Sequence, residues 1–164
     1  MGQANAGVEV GAKAPKFDLE SDAGKRTTLG DFAGKWLVLY FYPKDNTPGC
    51  TREAIDFSKA ALQLEKLGGA VAGVSKDSAK THCGFRDKLG LKFRLLADET
   101  LAAHKAYGVW GIKNMYGRKV EGTIRSTFLI SPGGKVVRAW SGVKVDGHVD
   151  AVLEALREAK AGEG

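Results

Sequence analysis

Cys50 and Cys83 are the two cysteines among the 164 residues of this chain. Two cysteines are too few for a disulfide scaffold, and neither lies in a CxxC pair, so each thiol must be judged by its neighbours. Cys50 ends the segment Pro43-Lys44-Asp45-Asn46-Thr47-Pro48-Gly49-Cys50, which follows an uninterrupted apolar run. Thr47 suits the N-cap of a helix and Pro48 its first position, which predicts that the cysteine occupies the third helical position.

A cysteine at the start of a helix is suited to nucleophilic chemistry. The free backbone N–H groups and the positive end of the helix dipole favour an anion there, and the thiolate is the nucleophilic form of cysteine. A thiolate that attacks the O–O bond of a hydroperoxide becomes a sulfenic acid and releases water or an alcohol. That reaction also needs a donor that holds the peroxide and a positive charge near the leaving oxygen. We expect Thr47 to supply the donor and Arg125 the charge, because Arg52 should project to another side of the helix.

The motif around this cysteine resembles that of a known family. The spacing Pro43-x-x-x-Thr47-x-x-Cys50 is similar to the active-site motif of the peroxiredoxins. The longer string 41–51, Phe-Tyr-Pro-Lys-Asp-Asn-Thr-Pro-Gly-Cys-Thr, resembles the bacterioferritin-comigratory, or Q-type, branch in particular. Further similar segments follow in the same order at 73–78, 95–98 and 124–130. The resemblance therefore extends over nearly the whole chain.

The resemblance implies a thioredoxin fold and a thiol-dependent peroxidase that reduces hydrogen peroxide and organic hydroperoxides. It places the four catalytic positions of the family at Pro43, Thr47, Cys50 and Arg125. Cys50 would be the nucleophile, Thr47 would orient the peroxide, and Pro43 would shield the pocket from water. The resemblance implies no metal, haem, flavin or other cofactor, and a reductant such as thioredoxin, glutaredoxin or a small thiol. The Q-type branch is commonly monomeric, so a monomer is expected.

The thiol that reduces the sulfenic acid is a separate question. Many members of the Q-type branch carry a resolving cysteine five residues after the first, and Ile55 stands there in this chain. Other members place it in the helix after the second long strand, where Cys83 lies about one turn from the family position. Helical geometry puts Cys83 nearly opposite Phe85, which predicts an exposed thiol. Gly84 weakens that helix by roughly 1 kcal/mol relative to alanine, which favours local opening. Cys83 is the favoured resolving cysteine, and the alternative is a one-cysteine cycle resolved by an external thiol.

Alternating strands and helices followed by an antiparallel hairpin predict one α/β domain over residues 1–164. Its expected architecture is thioredoxin-like, a mixed β-sheet flanked by helices with an N-terminal β-hairpin. The strands are predicted at 17–20 and 27–29, which form the N-terminal hairpin, and at 36–42, 70–74, 93–96, 126–130 and 135–140. Helices are predicted at 48–67, 99–107 and 147–160, and a further helix capped by Asp77 or Ser78 is predicted to run to Leu89.

Composition argues against several other classes of protein. The net charge is +6, but the basic residues are scattered among acidic ones, which indicates a solvated surface and no nucleic-acid partner. The densest basic cluster, Lys113–Lys119, is expected in a loop. No run approaches the roughly 18 apolar residues of a membrane span, and no secretory signal is visible, so a cytoplasmic protein without membrane contact is expected. His82 and Cys83, taken with His104 or His148, lack metal-ligand spacing.

The sequence is also compatible with two functions other than that of a thiol-dependent peroxidase. In a redox-sensing interaction protein, oxidised Cys50 would signal to a partner and peroxide turnover would be incidental. A thioredoxin-like disulfide exchanger would share the fold, but the chain lacks the CxxC pair that such a protein uses. Consumption of peroxide in the presence of a thiol reductant distinguishes both from a peroxidase.

Overall fold

The computed structural model describes residues 8–163, which form a seven-stranded sheet with helices on both faces and a separate two-stranded hairpin. The strands are β1 (Asp18–Ser21), β2 (Arg26–Thr28), β3 (Trp36–Phe41), β4 (Gly69–Ser75), β5 (Arg94–Ala97), β6 (Trp110–Met115), β7 (Arg118–Thr123), β8 (Ser126–Ile130) and β9 (Val136–Ser141). The helices are α1 (Pro48–Lys66), α2 (Ala79–Leu89), α3 (Ala102–Ala106) and α4 (His148–Glu163), and a short 3-10 helix spans Leu29–Phe32.

The large sheet contains both parallel and antiparallel pairs. Its order is β2-β1-β5-β4-β3-β8-β9, in which β3 pairs parallel with β4 and antiparallel with β8. The strands β4 and β5 are also parallel, while β1 and β2 form an antiparallel hairpin at one edge. These pairings confirm the thioredoxin-like mixed sheet and the N-terminal hairpin predicted from the sequence.

The interior strand β3 is buried on both faces, as its unbroken apolar run predicts. Side chains of a strand alternate between the two faces, so two separate cores meet at β3. Trp36, Val38 and Tyr40 lie in the core that includes Phe57 of α1, with α2 and α4 on the same side. The alternate residues of β3 lie in the second core, together with Tyr107, which follows α3.

Helix boundaries follow the local signals in the sequence. Thr47 has extended backbone angles at the N-cap of α1, and Pro48 is the first helical residue. In α2 the Ser78 hydroxyl accepts the Thr81 N–H at 3.2 Å, and Gly90 ends the helix with a left-handed φ of 64°. Within residues 8–163, none of the helices combines the length and the apolar character needed to cross a membrane.

The third helix is shorter than predicted. The sequence suggests a helix over 99–107, whereas α3 starts at Ala102 because Leu101 before it has a left-handed φ of 67°. The carboxylate of Asp98 takes over the start of the helix by accepting the backbone N–H groups of Ala103 and His104 at 3.1 and 2.7 Å. A side chain five residues upstream therefore caps this helix, a contact that local sequence patterns do not reveal.

The expectation of a loop at Lys113–Lys119 is wrong. This segment spans the end of β6, a turn and the start of β7. Tyr116 and Gly117 form the turn with φ angles of 54° and 79°, values that suit a tight hairpin connection. Most of β7 is exposed, so the alternation of apolar and polar residues that usually marks a strand is missing.

Gly73 in β4 has no room for a side chain, because it lies opposite Tyr40 of β3. A Cβ at this position would lie 2.9 Å from the Tyr40 hydroxyl oxygen and 3.0 Å from Leu95 Cδ2. Tyr40 is fully buried and its ring stacks on Phe57 at 4.6 Å, so it cannot move aside. We expect Gly73→Ala to lower the free energy of unfolding by about 1–3 kcal/mol in a denaturant titration. The control Gly133→Ala, where a Cβ meets nothing within 4 Å, should change it by less than about 0.5 kcal/mol. Equal losses in both variants would contradict this packing.

Candidate active site

Cys50 occupies the third position of α1, directly after the loop that leaves the carboxyl end of β3. Its side chain is only 1% exposed and lies among the core residues between α1 and the sheet. The predicted position at the start of a helix is therefore confirmed. Orphan N–H groups of the first helical turn point toward this end of the helix, which favours negative charge on the sulfur.

Thr47 is the N-cap residue of α1, but its hydroxyl does not cap the helix. The hydroxyl donates to the Lys44 carbonyl oxygen at 2.8 Å, within the same loop. The one hydroxyl hydrogen is thus engaged, while the oxygen lone pairs stay free to accept a hydrogen bond. The structure therefore gives Thr47 an acceptor geometry, whereas the sequence suggested a donor.

Arg125 lies directly beside Cys50, as predicted. Its Nη2 donates to Cys50 Sγ at 3.4 Å, and its Nη1 donates to Glu53 Oε1 at 2.6 Å. Gly49 allows this approach, since a Cβ on that residue would lie 3.2 Å from Arg125 Nη2. Although burial favours a neutral guanidine, Glu53 and Cys50 outweigh it and raise the pKa of Arg125 above its ordinary value. A permanent positive charge therefore faces the sulfur.

Glu53 belongs to this site, although the sequence analysis did not single it out. It lies three residues after Cys50 on the same side of α1 and is fully buried. Burial raises the pKa of Glu53 to about 7, and the Arg125 charge opposes that rise. Its Oε2 and the Tyr40 hydroxyl have no hydrogen-bond partner within the described part of the chain. The sequence feature that could have identified Glu53 is its place as the one acidic residue on the otherwise apolar buried face of α1.

Lys113 of β6 lies near the same site, and Pro43 lies in the loop that leads to it. Burial and then the Arg125 charge lower the pKa of Lys113, so its ammonium group lies within the electrostatic reach of the site. Lys76, which follows β4, places its Nζ 5.7 Å from the centre of the Trp110 ring at the base of the same hairpin. Pro43 is half-buried just after β3. Sequence reasoning missed the contribution of β6 because the segment was assigned to a loop.

Cys83 is exposed on α2, as helical geometry predicts. Its Sγ lies 3.9 Å from Asp87 Oδ2, on the opposite side of the helix from the buried Phe85. Both cysteines are free thiols, and Cys50 is buried whereas Cys83 faces outward. A disulfide between them requires α2, the start of α1 or both to move, because one thiol is buried and the other faces outward, whereas bonded cysteines need Cα atoms within about 7 Å and Cβ atoms directed at one another.

The three histidines occupy separate buried positions. His82 contacts Asp45, His104 contacts Asp98 and Thr123, and His148 contacts Thr127. Asp45, Asp77 and His82 also bring three ligand-type atoms within 4.8 Å of one another. Asp45 binds both of the other residues through hydrogen bonds, which accounts for this cluster without a metal ion.

A family model and several proteins of known type resemble this chain. The model described as the AhpC/TSA family matches residues 10–139. "Peroxiredoxin Bcp" of Xanthomonas campestris is 49% identical over 153 residues, covering 93% of this chain and 96% of that protein. The solved bacterioferritin comigratory protein of X. campestris, studied for its alkyl peroxide reduction activity, is 50% identical with a TM-score of 0.83, covering 87% of this chain and 91% of that one.

A second solved protein bears on the two cysteines. A serine variant of X. campestris peroxiredoxin Q is 48% identical with a TM-score of 0.86, covering 95% of this chain and 99% of that one. A second solved variant of the same protein has serine in place of another cysteine. The two replaced cysteines are 36 positions apart. Cys50 and Cys83 are 33 positions apart. The difference of three residues is close to one helical turn.

Glu53 and His148 give the stability of the fold opposite pH dependences. The pKa of Glu53 rises from 4.5 to about 7 on folding, so the folded state loses stability as the pH rises through that window. The pKa of His148 falls from 6.5 to about 4, first through burial and then through the Arg125 charge, so the folded state loses stability as the pH falls through that window. Each effect is on the order of 3 kcal/mol.

We expect Glu53→Gln to remove the loss of stability with rising pH that Glu53 causes, and to keep the loss with falling pH that His148 causes. Relative to the wild type, the free energy of unfolding of this variant should rise by about 3 kcal/mol between pH 4.5 and pH 7. Denaturant titrations at a series of pH values measure this difference, and His148→Gln is the matched control with the opposite sign. A Glu53→Gln variant that keeps the wild-type pH dependence would show that the pKa of Glu53 is not raised.

Proposed function

This chain belongs to the AhpC/TSA family, and on that premise we propose how its residues divide the work of a thiol-dependent peroxidase. The chain is a peroxiredoxin of the Bcp type. We assign peroxide attack to Cys50, with Thr47, Arg125 and Pro43 around it. The observation that carries the assignment is the 3.4 Å contact from Arg125 Nη2 to the sulfur of a cysteine at a helix start.

In the first step the Cys50 thiolate attacks one oxygen of a hydroperoxide. The S–O bond forms as the O–O bond breaks, the sulfur loses two electrons, and the departing oxygen takes a proton to leave as water or an alcohol. Arg125 stabilises the thiolate and the negative charge that develops on the departing oxygen. Thr47 orients the peroxide by accepting a hydrogen bond from its O–H, since its own hydrogen is held by Lys44. Pro43 limits the access of water.

In the second step the Cys83 sulfur attacks the sulfenic acid of Cys50. The S–S bond forms, the S–O bond breaks, and the hydroxyl leaves as water with the thiol proton. Cys83 is the other cysteine of the chain and is exposed on a helix that few side chains hold. Cys50 and Cys83 are 33 positions apart, whereas the two cysteines replaced in the X. campestris variants are 36 positions apart. The two separations differ by about one helical turn.

A dithiol, or two molecules of a small thiol, then reduces the disulfide to two thiols and is itself oxidised to a disulfide. The proposed reductants are thioredoxin, glutaredoxin or a low-molecular-weight thiol, and the exposed position of Cys83 supports access by any of them. The proposed substrates are hydrogen peroxide and organic hydroperoxides. We further propose a single-domain monomer in the cytoplasm, where such reductants keep thiols reduced.

Replacing the cysteines one at a time separates the two steps. We expect Cys50→Ser to lower peroxide consumption with thioredoxin and its reductase by at least about 1,000-fold, because the nucleophile is gone. We expect Cys83→Ser to react once with peroxide at an undiminished rate and then hold a sulfenic acid that a dimedone probe labels. Full turnover by Cys50→Ser would overturn the assignment of the nucleophile. Full turnover by Cys83→Ser with thioredoxin would instead favour the one-cysteine cycle.

Stabilising α2 should slow the second step. A Cβ on Gly84 meets nothing within 4 Å, so Gly84→Ala stabilises the helix by about 1 kcal/mol without a clash. Disulfide formation after one equivalent of peroxide should then be about fivefold slower in a rapid-quench experiment. Gly162→Ala, at an equally open position of α4, is the control and should leave this rate unchanged. A rate in Gly84→Ala that equals or exceeds the wild-type rate would show that resolution does not need α2 to open.

A further inference from the structure

Few side chains hold α2 against the rest of the protein. Of its eleven residues, His82 and Phe85 are buried and Leu89 is partly buried against the same core, and Arg86 Nε donates to the Phe93 carbonyl oxygen at 3.0 Å. A helix with so few buried contacts belongs to the part of a fold that opens at low free-energy cost, and each contact then has a large share in holding it. His82 is also the direct neighbour of Cys83, so a large displacement of the thiol displaces the histidine as well.

His82 is bound at both ring nitrogens by oxygen acceptors. Its Nε2 lies 2.9 Å from the Leu96 carbonyl oxygen, which can only accept, so Nε2 carries a hydrogen. Its Nδ1 lies 2.7 Å from Asp45 Oδ2, and one proton is shared between this nitrogen and the carboxyl group. Both side chains are fully buried. A 2.7 Å hydrogen bond between an imidazole and a carboxyl group at a fully buried position belongs to the strong class of such contacts.

Asp45 belongs to the loop that carries the catalytic residues. Its other carboxylate oxygen accepts the Tyr42 hydroxyl at 2.6 Å. Its backbone N–H donates to Asp77 Oδ2 at 2.9 Å, immediately before the N-cap Ser78 of α2. Asp45 therefore ties the loop between β3 and α1 to α2 at two points, one at the start of the helix and one at His82.

We propose that the buried Asp45–His82 pair is a latch that holds α2 against the loop before α1 and sets the rate at which Cys83 reaches the oxidised Cys50. The proposal rests on the resolving role assigned to Cys83 above. His82 and Asp45 are positioning residues, because neither takes part in a bond change. When α2 moves to bring Cys83 toward Cys50, His82 moves with it and leaves Asp45, because His82 is the direct neighbour of Cys83 on that helix.

The latch has a measurable chemical consequence. While the Asp45–His82 pair holds α2 in place, Cys83 cannot reach the sulfenic acid of Cys50. A second peroxide can then transfer an oxygen to the sulfenic acid, which gives sulfinic acid and water or an alcohol. Disulfide formation and sulfinic acid formation therefore compete for one intermediate. A stronger latch shifts this competition toward the sulfinic acid, and a weaker latch shifts it toward the disulfide.

Two substitutions of His82 separate its two contacts. In His82→Gln the amide nitrogen lies at the ε position and can reach Leu96, while the bond to Asp45 is lost. In His82→Asn the amide nitrogen lies at the δ position, so donation to Asp45 is kept. The pair His104–Asp98 is a matched control, because it is also fully buried and joined at 2.7 Å but lies on α3. His104→Gln therefore reproduces the loss of a buried pair without touching α2.

The test measures sulfenic acid, disulfide and sulfinic acid by rapid quench and mass spectrometry at rising hydrogen peroxide concentrations. We expect His82→Gln to form the disulfide about tenfold faster and to need about tenfold more peroxide for half conversion to sulfinic acid. Formation of sulfenic acid should change by less than about twofold, because Asp45 keeps its contacts to Tyr42 and Asp77. His82→Asn and His104→Gln should stay near the wild-type partition.

Disulfide formation in His82→Gln at the wild-type rate would overturn the latch. Equal acceleration in His104→Gln would also overturn it, because general loss of stability would then explain the effect. Asp45→Asn breaks the charged pair from the other side, and it serves if His82→Gln does not fold. If the wild type forms no Cys50–Cys83 disulfide at all, the resolving role of Cys83 fails and the latch with it. If the wild type forms the disulfide but the substitutions of His82 do not change its rate of formation, the resolving role of Cys83 stands and only the latch is overturned.

Discussion

One guanidinium group, that of Arg125, must stay charged while its side chain is only 17% exposed, and it must face the sulfur of Cys50. The sheet solves this by pairing β3 with β8, in which Phe41 lies opposite Ser126. The residue before Ser126 and the loop after β3 therefore meet at one edge of the sheet. Gly49 leaves the space that the guanidinium needs. The fold thus brings together two residues that lie 75 positions apart in the sequence.

Burying a positive charge requires a partner, and Glu53 supplies it from the same helix as Cys50. Its bond to Arg125 fixes the direction of the guanidinium, because one nitrogen is held by the carboxylate and the other is left for the sulfur. Burial keeps the pKa of Glu53 near 7, so the carboxylate balances part of the Arg125 charge at neutral pH. The ion pair therefore fixes the direction of the Arg125 guanidinium, while the Glu53 carboxylate offsets part of the positive charge that faces the sulfur.

Patterns within a few residues predicted a large part of this arrangement. The apolar run of β3, the Thr47-Pro48 start of α1 and the outward position of Cys83 are local properties, and the structure agrees with each of them. Contacts between distant segments were not predictable in the same way. Two features formed by neighbouring residues were missed as well: Asp98 caps α3 from outside the usual N-cap position, and the exposed strand β7 lacks the alternation that marks a strand.

The same distinction applies to the site residues. Cys50, Thr47 and Arg125 could be chosen because their side-chain types suit the chemistry. Glu53 and the Asp45–His82 pair act on other residues through contacts across 72 and 37 positions of the sequence, so no short motif shows them. The parts of the molecule that position the reacting groups are therefore the parts that needed the structure.

The central claim is that Cys50 takes the oxidation from peroxide and passes it to Cys83 of the same chain. Peptide mapping by mass spectrometry, after one equivalent of hydrogen peroxide and without reductant, tests it directly. The account predicts that a peptide containing Cys50 is linked by a disulfide to the peptide containing Cys83, in a protein that stays a single chain. A Cys50 that is still reduced, or that persists as a sulfenic acid beside a free Cys83, would contradict it.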